Sequence, residues 1–115
     1  MKKFVILIPL YNDWKSAAKL LNEIDLQIEL WEAEVSIVIV NDASIEERSG
    51  LDFNYKNIKS VKILNMKQNQ VHQRCIAAGL KYISQNENFD RVFVMDADGE
   101  DRPEELNDFY KKAKE

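Results

Sequence analysis

Four short runs of β-branched and bulky apolar residues punctuate the chain: Phe4 to Ile8, Val35 to Val40, Val61 to Leu64 and Val92 to Met95. They are mostly continuous rather than alternating, which predicts strands covered on both faces, as in a parallel sheet. Helical spacing fills the intervals. Trp14, Ala17, Ala18 and Leu21 fall at i, i+3, i+4 and i+7, with Asn12 or Asp13 as cap. Ile76, Gly79, Leu80 and Ile83 repeat that spacing. So do Leu106, Phe109, Tyr110 and Ala113, behind Pro103 at a first helical position. The segment from Ser44 to Lys59 reads as a short helix followed by an irregular stretch around Asp52 to Asn57. The order β-α-β-(α)-β-α-β-α predicts an α/β fold: a Rossmann-like parallel sheet of about four strands, with helices on both faces and right-handed crossovers. No repeat, low-complexity tract or Gly/Ser linker divides the chain, so residues 1–115 read as one domain.

Composition narrows the class. The chain has 115 residues, 45% hydrophobic and 31% charged, which suits a soluble globular domain with one core. A net charge of -4 argues against a nucleic-acid partner, which requires a basic footprint. One cysteine, Cys75, and one histidine, His72, leave no internal disulfide, no Cys-rich zinc site and no His cluster. A reducing compartment follows, with the cytoplasm as the expectation. Met-Lys-Lys before Phe4 to Leu10 imitates a leader peptide. The apolar run breaks at Pro9 and is followed by Asn12-Asp13, so a buried strand is expected instead. No stretch is long enough to cross a bilayer.

Ligands of open parallel sheets bind beyond the carboxyl ends of the strands. The four exits are Pro9-Leu10-Tyr11-Asn12-Asp13, Asn41-Asp42-Ala43-Ser44, the polar series Asn65, Lys67, Gln68, Asn69 and Gln70, and Asp96-Ala97-Asp98-Gly99-Glu100-Asp101. Asn, Asp and Ser are also ordinary turn and cap residues, so each loop alone is equally explained by structure. Four such loops on one edge point to a polar ligand. The only glycines are Gly50, Gly79 and Gly99, so neither a dinucleotide fingerprint nor a P-loop is present. A diphosphate would therefore need a metal or side chains. Asp96 and Asp98, two apart at a strand end, can face one cation in an extended segment. Mg²⁺ or Mn²⁺ accepts one or two carboxylates together with phosphate oxygens. Gly99 allows a tight turn afterwards. The alternative is that Asp98, Glu100 and Asp101 cap the following helix. Asp42 suits a base N–H or an N-cap equally. Tyr11 suits base stacking or packing on its own helix. Arg74 suits phosphate better than its neighbour His72. Cys75 reads as a small buried apolar residue with no catalytic role, and Trp14 and Trp31 as packing or surface residues.

Four segments together resemble a known family. They are Val5 to Asn12, Ile37 to Ser44, Asn69 to Gly79 and Val94 to Glu104. In this order they are similar to the N-terminal part of family-2 glycosyltransferases with the GT-A fold. The last segment looks like the branch containing polyprenyl-phosphate sugar transferases. The resemblance implies a truncated GT-A fold whose nucleotide side is formed by Pro9, Tyr11, Asn12, Asp42, Arg74 and Asp96. It implies Asp96 and Asp98 as ligands of Mg²⁺ or Mn²⁺. The donor would be a UDP- or GDP-linked sugar, and the acceptor a lipid phosphate or a glycan. Two positions depart from the pattern: Asn41 stands where the family has an acid, and Val71 where it has a glycine. The family's acceptor surface and catalytic base lie in a second half beyond these residues. The expectation is that this part binds a nucleotide but transfers sugar poorly alone, self-associates through an exposed sheet edge, and is cytoplasmic or peripheral at the inner face of a membrane. Two other readings remain. One is a non-catalytic nucleotide-binding or regulatory module, or an inactive fragment. The other is a phosphatase-like enzyme with Asp96 as nucleophile and Asp98 as acid, which requires a lysine and carboxylates on downstream strands.

Overall fold

The computed structural model describes residues 1–45, 54–68, 72–97 and 105–114, with the side chains of His72 and Lys114 left out. Strands β1 (Lys2–Leu10), β2 (Ala33–Asn41), β3 (Ile58–Asn65) and β4 (Arg91–Val94) alternate with helices α1 (Trp14–Gln27), α2 (His72–Asn86) and α3 (Leu106–Lys114). The strands form one sheet in the order β3-β2-β1-β4. All three pairings are parallel, with Lys2 to Leu10 opposite Ala33 to Asn41 and Phe4 to Leu7 opposite Arg91 to Val94. The expected α/β architecture is therefore present. The difference from the sequence reading lies between Ser44 and Lys59. β3 begins at Ile58, earlier than the apolar run at Val61. Asp25 on α1 sets that entry, its Oδ1 accepting from the N–H groups of Asn57 (2.7 Å) and Ile58 (2.9 Å). The short helix expected there falls mostly on residues 46–53, outside the described residues.

The continuous apolar runs are explained by the two faces of the sheet. Phe4, Ile6, Ile8 and Leu10 of β1 join Val35, Ile37 and Ile39 of β2 in a core closed by α1 and α3. Val5, Leu7, Val38 and Val40 point the other way, against Cys75 and Ile83 of α2. α1 presents Trp14, Ala17, Leu21 and Ile24 to the sheet, all buried. Each fully buried aliphatic side chain contributes about 1.5–3 kcal/mol. Asp13, not Asn12, caps α1, its Oδ1 accepting from the Ser16 N–H at 3.2 Å.

α3 is fastened by aromatic rings and polar contacts. Trp31 stacks on Tyr110 at a centroid distance of 4.3 Å and an angle of 8°. Phe4 meets both rings edge-on, at 6.1 Å and 5.9 Å. The Trp31 indole donates to Asn107 Oδ1 at 2.8 Å, Asn107 donates to Gln27, and the Tyr110 hydroxyl accepts from the Glu32 N–H at 2.9 Å. α2 sits close to the opposite face because of Gly79. A Cβ placed there would press into Leu7 Cδ1 and lie 2.8 Å from Val40 Cγ2. Among the described residues, no helix is long and apolar enough to cross a membrane.

Candidate nucleotide-binding site

The sheet order fixes where a crevice can form. From β1 the chain crosses by α1 to β2 on one side. From β3 it crosses by α2, on the other face, to β4 on the far side of β1. The strand order therefore reverses beside β1, between β2 and β4, a topological switch point of the kind at which open α/β sheets bind ligands.

Side-chain alternation decides which groups reach it. On β2, Val38 and Val40 face α2, and Asp42 continues that series two positions on. Beyond β4, Met95 and Ala97 are buried in the α1/α3 core, so Asp96 between them faces the α2 side. Met95 extends the ladder by donating to Leu7 O at 3.0 Å. Asp42 and Asp96 thus occupy the same face of the sheet at its carboxyl edge, next to the start of α2. That helix start also carries Arg74, which is exposed.

The strand exits are tied to one another. Asn12 has a left-handed backbone, φ 63°. Its N–H donates to Ser44 Oγ at 2.8 Å, and its Oδ1 accepts from the Ile45 N–H at 2.9 Å. The Asp42 N–H donates to Leu10 O at 2.8 Å. Asn41 Oδ1 accepts from the Ser44 N–H at 3.1 Å, while Asn41 Nδ2 donates to Asn65 Oδ1 at 3.0 Å. Three loops are therefore braced laterally. Ala43 sits inside this brace at φ 55°, a conformation that costs a non-glycine residue about 1 kcal/mol or more. Hydrogen bonds on both sides of it hold the strained turn in place.

Asp42 is 7% exposed and is the only buried charged residue among those described. The Cys75 thiol, 1% exposed, packs among Val38 and Val40 on the same face and feels the Asp42 charge. Burial, and then the Asp42 carboxylate, push the thiol up to about 11, so it is protonated at neutral pH. The sequence reading gave Cys75 an apolar packing role alone. Its position one helical turn before Gly79, on the face turned to Val38 and Val40, was the available signal.

The other expected residues fall as follows. Pro9 is buried at the end of β1, Tyr11 is exposed beside it, and Trp14 is a core residue. Trp31 belongs to the α3 clamp. Asp96 is half-buried. Asp98, Gly99, Glu100, Asp101 and Pro103 lie outside the described residues, as do Asn69, Gln70, Val71 and Gly50. Among the described residues no three His, Cys, Asp or Glu side chains are grouped to hold a metal ion. A pocket of about 310 Å³ lies at the opposite, amino end of the strands, lined by residues including Lys3, Ser36 and Lys62. It is remote from Asp42 and Asp96. There Glu87 raises the Lys62 pKa through a hydrogen bond.

Residues 5–115 match the sequence profile of glycosyl transferase family 2. The chain belongs to that family. The fold agrees with that of a solved structure: the crystal structure of S. aureus TarS 1-349 superposes with a TM-score of 0.72 at 24% identity, over 96% of this chain. The matched region is 32% of the TarS chain, so this family-2 chain spans about a third of its length. At this identity the likeness establishes the GT-A-like fold of the family-2 chain and nothing finer.

Proposed function

We propose that this chain is the donor-binding part of a glycosyltransferase that uses a nucleotide-diphosphate sugar. The observation that carries the reading is the shared placement of Asp42 and Asp96 on the α2 face, at the carboxyl edge beside the switch point. In this reading Asp42 accepts from a base N–H, while Pro9 and the exposed Tyr11 ring flank the base. Asn12 acts through its brace to Ser44 and Ile45, and Arg74 meets phosphate charge. A carboxylate at a strand end has the hard oxygen donors that Mg²⁺ or Mn²⁺ prefers. Asp96 and Asp98 would hold such an ion, which supplies charge neutralisation to the departing diphosphate.

The donor is UDP- or GDP-linked. The acceptor oxygen, from a lipid phosphate or a glycan, attacks the anomeric carbon as the bond to the diphosphate breaks. A lipid-phosphate acceptor would fit the polyprenyl-phosphate branch and a site at the inner face of a membrane. In this reading residues 1–115 act as one nucleotide-sugar-binding domain. The second reading, a nucleotide-binding module without turnover, shares the site and differs only in the absence of transfer.

Titration calorimetry with UDP and GDP, with and without Mn²⁺, tests the proposal. Metal-dependent binding is expected, and Asp96→Ala should raise its Kd by about tenfold or more, the worth of one charge-assisted contact. No binding at roughly millimolar nucleotide, a free energy of about -4 kcal/mol, would refute it.

A further inference from the structure

We propose that the pocket at the amino end of the strands is a second ligand site, for a small polyhydroxylated molecule carrying one anionic group, as a sugar phosphate or a sugar acid does. It lies at the opposite end of the strands from Asp42 and Asp96 and does not rest on the reading given for them.

On the α2 face the strands change character along their length. β2 passes from Glu34 and Ser36 to Val38 and Val40, and β3 from Ser60 and Lys62 to Leu64. α2 packs on the aliphatic half and ends at Asn86, and the pocket of about 310 Å³ lies over the polar half. That volume suits a small ligand. Ser36 and Ser60 are partners in the β2–β3 ladder and both are half-buried, yet neither hydroxyl has a hydrogen-bond partner among the described residues. The ladder also shifts register there: Val35 faces Ile58 and Ser36 faces Ser60, so Lys59 is the extra residue of a bulge. Ile58 and Val61 both pack in the α1/α3 core, which regular alternation would forbid. The bulge takes up the odd residue and turns Lys59 to the pocket, where its Nζ meets Glu34 at 3.1 Å.

Charge selects the ligand. Among the lining residues, Lys59 pairs with Glu34 and Lys62 with Glu87 at 2.7 Å, which leaves Lys3 as the one cation in excess. The Lys3 ammonium has no partner among the described residues. Asp90 engages the Lys3 backbone instead, in the plane of the sheet: its Oδ2 accepts from the Lys3 N–H and its N–H donates to Lys3 O, both at 2.7 Å. One free ammonium calls for one anionic group, and the two serine hydroxyls with the Asn88 amide suit ligand hydroxyls. Phe4 contributes only its strand to the lining, because its ring lies in the α1/α3 core, so a nucleobase would find no stacking surface.

Titration of the isotope-labelled chain, followed by NMR, tests the site, with glucose-6-phosphate and glucuronate as probes and glucose and inorganic phosphate as controls. At least one probe should shift the amide signals of Lys3, Ser36 and Ser60 saturably, with a Kd of about 1 mM or below. Which of the two binds distinguishes a phosphate from a carboxylate as the anionic group. Each control offers only part of the contacts and should bind about tenfold more weakly or not at all. Lys3→Gln, at an exposed position, should raise the Kd about tenfold, the worth of one charge-assisted contact, and Ser60→Ala about fivefold. No saturable shift with either probe by about 10 mM, equal binding of a control, or wild-type affinity in either variant overturns the proposal. So do shifts confined to the carboxyl edge around Asp42 and Asp96, which would put the probe at the other end of the sheet. If a variant does not fold, the ranking of probes over controls and the location of the shifts in the wild type decide.

Discussion

Replacing Gly79 by alanine sets two effects of known size against each other. In the middle of α2, alanine is favoured over glycine by about 1 kcal/mol on helix propensity. The new Cβ, however, would press into Leu7 Cδ1 and stand 2.8 Å from Val40 Cγ2 and 3.0 Å from Leu7 Cδ2. Leu7 and Val40 are both fully buried, so neither can swing into solvent to make room. Overpacking of this kind costs roughly 1–3 kcal/mol. The net is a loss of about 1 kcal/mol, or roughly 4 °C in Tm for a chain of this size. Urea unfolding followed by circular dichroism measures it. A second background makes the cause identifiable. Leu7→Ala alone should cost about 3 kcal/mol by opening a cavity, and in that background Gly79→Ala should become neutral or stabilising. The coupling between the two sites would be about 2 kcal/mol. A stability gain from Gly79→Ala in the wild-type background, or equal effects in both backgrounds, would refute the close-approach argument. Displacement of α2 would also shift Arg74 and Cys75, which the same helix carries.

Ala43→Val should lower stability by about 1 kcal/mol or more, since a β-branched side chain tolerates φ 55° worse than alanine, whereas Ala43→Gly should not lower it; denaturant midpoints test both. Trp31→Ala removes the stack on Tyr110 and the donor to Asn107, and should cost about 3 kcal/mol while increasing amide exchange in α3 ahead of the sheet. The Cys75 thiol titrates at about 11 in the folded chain, above its unfolded value of about 8.5, so its contribution is complete below the lower value and is lost as pH rises toward 11. The unfolding free energy of the wild type should therefore fall by up to about 3 kcal/mol more than that of Cys75→Val across that interval. Parallel curves for the two proteins would contradict it.

Much of this architecture could be read from residue order because strand and helix periodicities are local. The apolar runs lie within β1 to β3, the one ending at Met95 overruns β4 by one residue, and the three helical spacings mark α1, α2 and α3. The ambiguous interval was settled by a tertiary contact, Asp25 with Asn57 and Ile58, which spacing does not reveal. The edge on which the polar loops gather was equally legible, since it follows from strand direction. What escaped was how those loops are tied together. Asn12 and Ala43 adopt left-handed backbones without glycine, and the bonds from Asn12 to Ser44 and from Asn41 to Asn65 join positions far apart along the chain. The closeness of Cys75 to Asp42 escaped for the same reason. A thiol in an apolar helix face looks like filler until the strand alternation beneath it is known.

The order β3-β2-β1-β4 also dictates a schedule for synthesis. The strand made first is an inner one: β1 gains one neighbour when β2 emerges, but its other side stays open until Arg91 to Val94 arrive to pair with Phe4 to Leu7. On a ribosome adding about 5–20 residues each second, that apolar flank must wait several seconds for its partner. Strand β1, with seven consecutive buried residues, is therefore the one a nascent-chain chaperone has the longest opportunity to hold.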